Sequence, residues 1–144
     1  MIKLVPLELV LPLRSKMLRN GADINECVFP TDEIAGVFHL AYYANENEIA
    51  TVATFFPQDM QGRDGIGYQL RGMATAEAYF GKGYGAALVK YAVDYIKKAK
   101  AEYIWCNARS SATAFYKKQG FEIVSEEFEI PGVGPHYIMI LNLI

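Results

Sequence analysis

The sequence predicts a mixed α/β (α+β) fold in a single domain that spans residues 1–144. Runs of strand-forming residues lie at both ends of the chain, an amphipathic helical pattern follows a glycine cluster near residue 83, and a short apolar run separates that helix from a second one. With 52% hydrophobic residues, a chain of 144 residues can bury roughly two-thirds of its unfolded surface in one core. We therefore expect helices packed on one mixed sheet.

The N-terminal half is predicted to contain a strand, a helix and a hairpin. Residues 2–7 form the strand, and the helical segment PLRSKMLRNG closes with Gly21, a residue suited to a helix C-cap. The apolar face of this helix consists of Leu13, Met17 and Leu18. Residues 22–36 lack periodicity, which indicates a loop. VFHLAYY and EIATVATFF flank the turn ANEN as a β-hairpin, and IGYQLRGMAT is a further strand.

The C-terminal half is predicted to alternate helices and strands. Residues 86–100 form an amphipathic helix with lysines at its C-terminal end, where the helix dipole favours them. Its apolar face consists of Leu88, Ala92, Tyr95, Ile96 and Ala99. EYIWCN is a strand, Ser110 or Ser111 caps a helix that runs to about Gln119, and Gly120 ends it. FEIVSEEFEI and HYIMILNLI are two final strands joined by PGVGP.

The charge balance and the cysteine content indicate which kinds of binding partner and which cellular compartment to expect. The 14 basic and 16 acidic residues nearly cancel, so nothing indicates a nucleic-acid or membrane surface, and small-molecule partners are expected. Cys27 and Cys106 lie far apart without metal-ligand spacing, which predicts buried thiols, no zinc or other metal, and a reducing cytoplasm. Prolines and charges interrupt the apolar N-terminus, so it is interpreted as folded protein.

The stretch FGKGYGAALV indicates an anion-binding loop at the start of a helix. Gly81, Gly83 and Gly85 can adopt conformations closed to other residues, so that successive N–H groups point toward a ligand. The partial positive charge of a helix N-terminus then favours a phosphate or pyrophosphate. The alternative is a glycine-rich turn that serves only the geometry of the chain.

Spacing discriminates between known phosphate-binding patterns. A P-loop requires Ser or Thr after Gly-Lys and a glycine five residues earlier, but Gly83 and Ala76 occupy these positions. A dinucleotide fingerprint is matched formally by Gly81, Gly83 and Ala86. However, AEAYF separates it from its strand, and the following strand runs through Asn107 without a carboxylate. A nucleotide-dependent oxidoreductase is therefore a weaker alternative.

Two segments that together cover about residues 66–124 carry a resemblance to a known family. QLRGMATAEAYFGKGYGAALV resembles the coenzyme-A-binding motif of the GNAT superfamily of N-acetyltransferases, with Gly83 and Gly85 in its two small positions. Its first position, usually Arg or Gln, is Phe80. IWCNARSSATAFYKKQGFEIV resembles the second cofactor segment of that superfamily. The familiar positions there are Asn107, Ala114, Phe115, Tyr116, Gly120 and Phe121. LRSKMLRNG and GVGPHYIMIL resemble the ends of small bacterial members.

The resemblance implies a mostly antiparallel sheet of about seven strands with a splayed parallel pair that receives acetyl-CoA. The main-chain N–H of Met73 would polarise the thioester carbonyl, and Tyr116 would donate a proton to the departing thiol. The alternative for Tyr116 is an aromatic anchor, and for Asn107 a capping or turn residue. The implied cofactor-binding residues are Met73, Ala74, Thr75, Gly81, Lys82, Gly83, Tyr84, Gly85, Ala86, Asn107, Ala112, Phe115 and Tyr116.

The predicted function is transfer of an acetyl group from acetyl-CoA to a small primary amine by direct attack in a ternary complex. The alternative is an acetyl-CoA sensor without turnover, because Phe80 replaces a motif residue and the base is unclear. His136 is the candidate base, although a structural histidine at a strand start is the simpler interpretation. The apolar final segment YIMILNLI could contribute to a homodimer sheet.

Further polar residues are weaker candidates for the acceptor side. Arg71 and Gln69 alternate on one strand and could line the cleft. His39 is interpreted as a sheet residue. Asp32 and Glu33 could attract a cationic amine, but solvated loop carboxylates are the simpler interpretation. Arg14 and Arg19 could bind an acidic acceptor, but surface charges explain them more simply.

Overall fold

The computed structural model describes residues 1–144 as one eight-stranded sheet with three α-helices. Each predicted helix and strand is present. The strands are β1 (Ile2–Val5), β2 (Phe38–Asn45), β3 (Glu48–Pro57), β4 (Gly67–Thr75), β5 (Tyr103–Arg109), β6 (Glu122–Ile123), β7 (Phe128–Ile130) and β8 (Gly134–Asn142). The helices are α1 (Leu11–Leu18), α2 (Tyr84–Lys98) and α3 (Thr113–Lys118). No helix combines the length and the apolar character needed to cross a membrane.

The sheet is mixed, as predicted, and mostly antiparallel. Its order is β1-β2-β3-β4-β5-β8-β6, and β7 pairs with β8 as well. Only β4 and β5 are parallel. The sheet has eight strands instead of the predicted seven, because FEIVSEEFEI forms two strands rather than one. Between them Ser125 interrupts the ladder, since its hydroxyl accepts a hydrogen bond from the N–H of Ile138 at 2.8 Å.

The final strand lies inside the sheet. β5 pairs with β8 along one side, while β6 and β7 share its other side. Within YIMILNLI, residues 138–140 therefore have main-chain partners on both sides, whereas residues 141–143 pair only on the β5 side. A homodimer sheet could then extend only from the last residues of this segment, and the dimer stays a prediction.

Helices cover both faces of the sheet. α2 and α3 pack on one face, where Leu88, Ala92 and Ile96 of α2 are buried against the strands. α1 packs on the opposite face with the smaller cluster of Val10, Ala41, Val52 and Ala74. Two residues predicted for the buried face of α2 are exposed. The ring of Tyr95 contacts Phe38 at the edge of the core in a tilted arrangement, and Ala99 lies past the last helical residue.

Neither serine predicted to cap α3 does so through its side chain. A short 3₁₀ turn covers Ser110–Ala112, and the N-cap position belongs to Ala112. The hydroxyl of Thr113 instead donates a hydrogen bond to the carbonyl of Ser110 at 3.1 Å. The predicted stop at Gly120 is confirmed, because this residue has a φ of 98°.

The most buried side chain of α1 is an arginine. Arg14 is fully buried, and its guanidinium donates hydrogen bonds to both carboxylate oxygens of Asp32, at 2.7 and 3.1 Å. It donates further bonds to Thr54 Oγ1 and to the Cys27 carbonyl. The interpretation of Arg14 as a surface charge and of Asp32 as a solvated carboxylate is therefore wrong, whereas Glu33 is exposed. This pair ties the loop after α1 to the sheet.

His39 extends this network and is a buried sheet residue, as predicted. Because Thr54 Oγ1 accepts from Arg14, its hydroxyl proton is free to donate to His39 Nδ1, 2.7 Å away. His39 Nε2 then donates to the Asp32 carbonyl at 3.3 Å. The network thus fits a neutral histidine with its proton on Nε2. A second proton on Nδ1 would face the hydroxyl proton of Thr54.

Acidification is expected to destabilise the protein through His39. Burial lowers the pKa of His39 below its ordinary value of 6.5, so below pH 6.5 the unfolded chain binds a proton that the folded chain refuses. The contribution of His39 to the free energy of unfolding is complete above pH 6.5. It falls as the pH drops from 6.5 to the pKa of the folded state, by up to about 1.4 kcal/mol per pH unit. Urea unfolding at several pH values should show a shallower loss for His39→Gln. If the free energy of unfolding falls equally with pH in the wild type and in His39→Gln, this prediction is contradicted.

Candidate active site

A cleft opens where the parallel strands β4 and β5 diverge. Their pairing runs from Gly67 and Tyr103 to Leu70 and Cys106 and then stops, although both strands continue. The predicted splayed pair is thus present.

A β-bulge in β4 accompanies the divergence. Against β3, Arg71 pairs with Thr54 and Ala74 with Val52, so Gly72 and Met73 together face a single residue. Gly72 has a φ of 66°, and a Cβ atom there would lie 3.0 Å from Arg14 Nε, so both the bulge and the buried arginine require glycine.

The cleft forms a cavity of about 380 Å³. It is lined by the divergent ends of β4 and β5, the end of α1, the loop that follows α1, the start of α3 and the β7–β8 hairpin. The predicted site residues that line it are Met73, Asn107, Ala112, Tyr116 and His136. Gln69 and Arg71 line it as well, as expected for the cleft. Residues distant in sequence therefore meet in one place.

Tyr116 lies in this cavity wall with its ring held by neighbouring aromatic rings. It makes edge contacts with Phe115 and Phe121 at centroid distances of 5.0 and 5.3 Å. Burial, and to a smaller extent the nearby Cys106, raise the pKa of Tyr116 far above its ordinary value of 10.0. The hydroxyl therefore remains protonated at neutral pH and can act as a donor toward the cavity.

His136 is nearly buried on β8, opposite Arg109 of β5. Its Nδ1 lies 2.7 Å from the carbonyl of Gly134, a distance that places a proton on Nδ1 and leaves Nε2 as the acceptor. His136 is therefore anchored to the main chain and also lines the cavity, and its role as a base stays a prediction.

The glycine loop leaves its main-chain donors free. Gly81 and Gly83 have φ values of 74° and 82°, and nothing lies within 4 Å of a Cβ placed on either. None of the N–H groups of residues 81–86 donates to an acceptor in the protein, and the first helical bond of α2 is that of Ala87 to Gly83. Six consecutive amides are thus available at the N-terminus of a fifteen-residue helix.

Gly85 does not adopt the unusual backbone conformation predicted for it, although it occupies a position where only a small residue fits. It lies within α2 and does not adopt positive φ. A Cβ there would lie 3.2 Å from the Phe115 ring and 3.6 Å from Met73 Sδ. Glycine at this position lets α2 approach α3 and the bulged strand, which brings the free amides close to the cleft.

The remaining predicted cofactor residues lie around the loop and along β4. Lys82 and Phe80 are exposed, and Tyr84 stacks on Tyr42 with 4.0 Å between ring centroids. Ala74 is buried in the cluster beneath α1, and Thr75 Oγ1 accepts a hydrogen bond from Thr51. Only the main chain of Ala74 and Thr75 is therefore suited to contact a ligand. Cys27 and Cys106 are free buried thiols, as predicted.

Several residues that line the cavity were not predicted from the sequence. Phe29 and Val133 come from loops without a pattern, and no local signal marks them. Arg109 follows Asn107 at an interval of two in the same strand, a spacing that could have placed both at the cleft. No three His, Cys, Asp or Glu side chains gather in an arrangement suited to a metal ion.

Comparison with known proteins agrees with this architecture. A model of the acetyltransferase (GNAT) family matches residues 15–121. The uncharacterized N-acetyltransferase YitI of Bacillus subtilis (strain 168) is 32% identical over 143 residues, which are 99% of this chain and 95% of that protein.

Two solved structures show the same fold. An aminoglycoside 6'-N-acetyltransferase complexed with coenzyme A has a TM-score of 0.72 at 16% identity, covering 100% of this chain and 97% of that one. The ribosomal-protein-S18-alanine N-acetyltransferase of Escherichia coli has a TM-score of 0.73 at 16% identity, covering 99% of this chain and 93% of that one. The resemblance seen in the two sequence motifs is confirmed, and the chain belongs to the acetyltransferase (GNAT) family.

Proposed function

We propose that this protein transfers the acetyl group of acetyl-CoA to a small primary amine within a ternary complex. The observation that carries the proposal is the run of free amides at residues 81–86 beside a cleft between diverging strands. Because the cavity draws residues from Leu18 to His136, the proposed site belongs to one domain that comprises residues 1–144.

The chain's own groups fit the diphosphate and the pantetheine arm of coenzyme A. The amides of residues 81–86 and the positive end of the α2 dipole suit an anion, and the exposed Lys82 adds a charge. Main-chain groups of Met73, Ala74 and Thr75 lie past the point where β5 leaves β4, so they can pair with the amides of an extended ligand. Asn107 and Ala112 line the cavity at this point, and Phe115 lies beside Gly85 at the start of α2.

When bound, acetyl-CoA supplies an activated acetyl thioester. The N–H of Met73, within the bulge, is the proposed donor to the carbonyl oxygen as it gains negative charge. His136 Nε2 accepts a proton from the ammonium form of the amine, and the amine attacks directly. Tyr116 donates a proton to the sulfur as the C–S bond breaks, and the nitrogen, positively charged after its attack, releases a second proton that restores the Tyr116 hydroxyl through solvent. The products are an amide and free coenzyme A, and no cysteine nucleophile takes part.

Calorimetric titration tests the ligand class, and thiol release tests turnover. Acetyl-CoA should bind, while NAD and ATP should bind far more weakly, because the loop lacks the P-loop spacing and its dinucleotide-like glycines do not directly follow a strand. Amines added to the acetyl-CoA complex should release free coenzyme A. Binding without release across a broad amine panel would favour the sensor alternative. Binding of NAD alone would favour the oxidoreductase.

Replacing Phe80 by arginine is expected to tighten acetyl-CoA binding. Phe80 is 57% exposed, so its replacement costs little core packing, and arginine restores a cation at the first position of the motif. A partly solvated guanidinium–phosphate contact corresponds to an affinity gain of about three- to tenfold. Calorimetry should show this gain for Phe80→Arg and not for the control Phe80→Ala. Equal affinities for both variants would show that residue 80 does not reach the diphosphate.

A further inference from the structure

The cavity is lined by three arginines and no carboxylate. Arg19, Arg71 and Arg109 contribute to its wall, and no Asp or Glu side chain does. The protein's one salt bridge joins Arg14 to Asp32, so none of the three is ion-paired. All three are only partly exposed. Their charges are therefore neither neutralised by the protein nor fully solvated.

Two of these guanidinium groups are gathered on a single ring. Arg71 and Arg19 lie 4.0 and 5.7 Å from the centroid of Phe29, and the buried Arg14 lies 3.9 Å from it. Asp32 already accepts two bonds from Arg14 and one from the Phe29 N–H. The nearest carboxylate is thus occupied. Burial, followed by the charges of Arg19 and Arg14, lowers the pKa of Arg71, which is consistent with crowding of positive charge.

These arginines do not belong to the proposed diphosphate site. Arg19 follows α1, and Phe29 lies in the loop tied to α1, whereas the free amides begin α2 on the opposite face of the sheet. The cleft between β4 and β5 connects the two faces. A ligand that reaches through the cleft would therefore meet the amides at one end and the arginines at the other.

We infer that the acceptor is a small amine that also carries a carboxylate, as an amino acid does, and that Arg71 and Arg19 bind this carboxylate. The inference rests on the proposed function and names its acceptor class. Guanidinium groups bind carboxylates through paired N–H donors. An acceptor with only ammonium groups would place positive charge beside three unpaired arginines. The cavity volume of about 380 Å³ suits a molecule of this size.

The inference is tested by measuring the binding of matched pairs of amines, so the test does not require turnover. Wild-type protein saturated with coenzyme A is titrated with lysine and cadaverine, phenylalanine and phenethylamine, and serine and ethanolamine. Each pair differs by one carboxylate. We expect the best-bound amino acid to bind about 10- to 100-fold more tightly than its decarboxylated partner. Equal or tighter binding of the decarboxylated partners, or no binding by any amino acid, would overturn the inference.

Variants then assign the effect to the arginines. Arg71→Gln and Arg19→Gln should each lose about tenfold or more of the preference for the carboxylated partner, with unchanged affinity for acetyl-CoA. Lys16→Gln, an equal charge change on the exposed side of α1, should keep the preference. A preference retained in both arginine variants, each shown to be folded by its thermal transition, would overturn the assignment.

The two proposals fail differently. Acetyl transfer to amines regardless of a carboxylate would remove this inference and leave the proposed function. Tight binding of amino acids without acetyl transfer would remove the proposed function and leave an arginine-lined carboxylate site.

Discussion

Tyr116→Phe is expected to lower kcat by about 10²–10⁴-fold, with an unchanged affinity for acetyl-CoA. The substitution removes one oxygen atom from the cavity wall and keeps the ring that packs between Phe115 and Phe121. Because that hydroxyl donates no hydrogen bond within the protein and remains protonated, its loss removes a donor to the departing sulfur and little else. Steady-state thiol release with the best amine measures kcat, and calorimetry measures the affinity.

Tyr68→Phe provides the matched control. Tyr68 is a buried tyrosine whose hydroxyl makes no hydrogen bond in the protein, and it does not line the cavity. Its variant should therefore keep the wild-type kcat. A Tyr116→Phe enzyme whose kcat stays within about twofold of wild type would remove Tyr116 from the proton transfer and leave it as an aromatic anchor.

The order of helices and strands could be predicted because it depends on local patterns. The period of the apolar residues in α2, the lysines at its end and the stop at Gly120 act over a few residues each. The glycine cluster likewise predicts free amides, because positive φ and a helix start are properties of the segment itself. These local features also carry the two motifs from which the family was predicted.

What the sequence left open depends on contacts between distant residues. Arg14 and Asp32 are eighteen positions apart, and each reads separately as an ordinary surface charge. Only the folded loop shows that they neutralise one another. The same holds for the cavity, where Phe29, Arg71 and Arg109 come from a loop and two strands. Tyr95 was predicted to be buried but is exposed. The helical period shows which face of α2 is apolar, but it does not show how far the neighbouring sheet extends over that face.

Asp32→Asn is expected to lower the free energy of unfolding by about 3–5 kcal/mol. The substitution keeps the shape of the side chain and removes its charge, so the fully buried guanidinium of Arg14 loses its counter-charge. It also weakens the bond, 2.6 Å long, that Asp32 Oδ2 accepts from the N–H of Phe29. Because Phe29 forms part of the cavity wall, the Michaelis constant for the amine should rise as well.

Denaturant unfolding at neutral pH measures this loss, with Glu33→Gln as the control. Glu33 is the next residue in the loop and is exposed, so its variant should stay within about 0.5 kcal/mol of wild type. Adding Arg14→Leu to Asp32→Asn should recover part of the loss, because the unpaired buried charge is then removed. A loss below about 1 kcal/mol for Asp32→Asn would mean that solvent reaches Arg14 in solution. The loop after α1 would then be held by packing of Phe29 rather than by the ion pair.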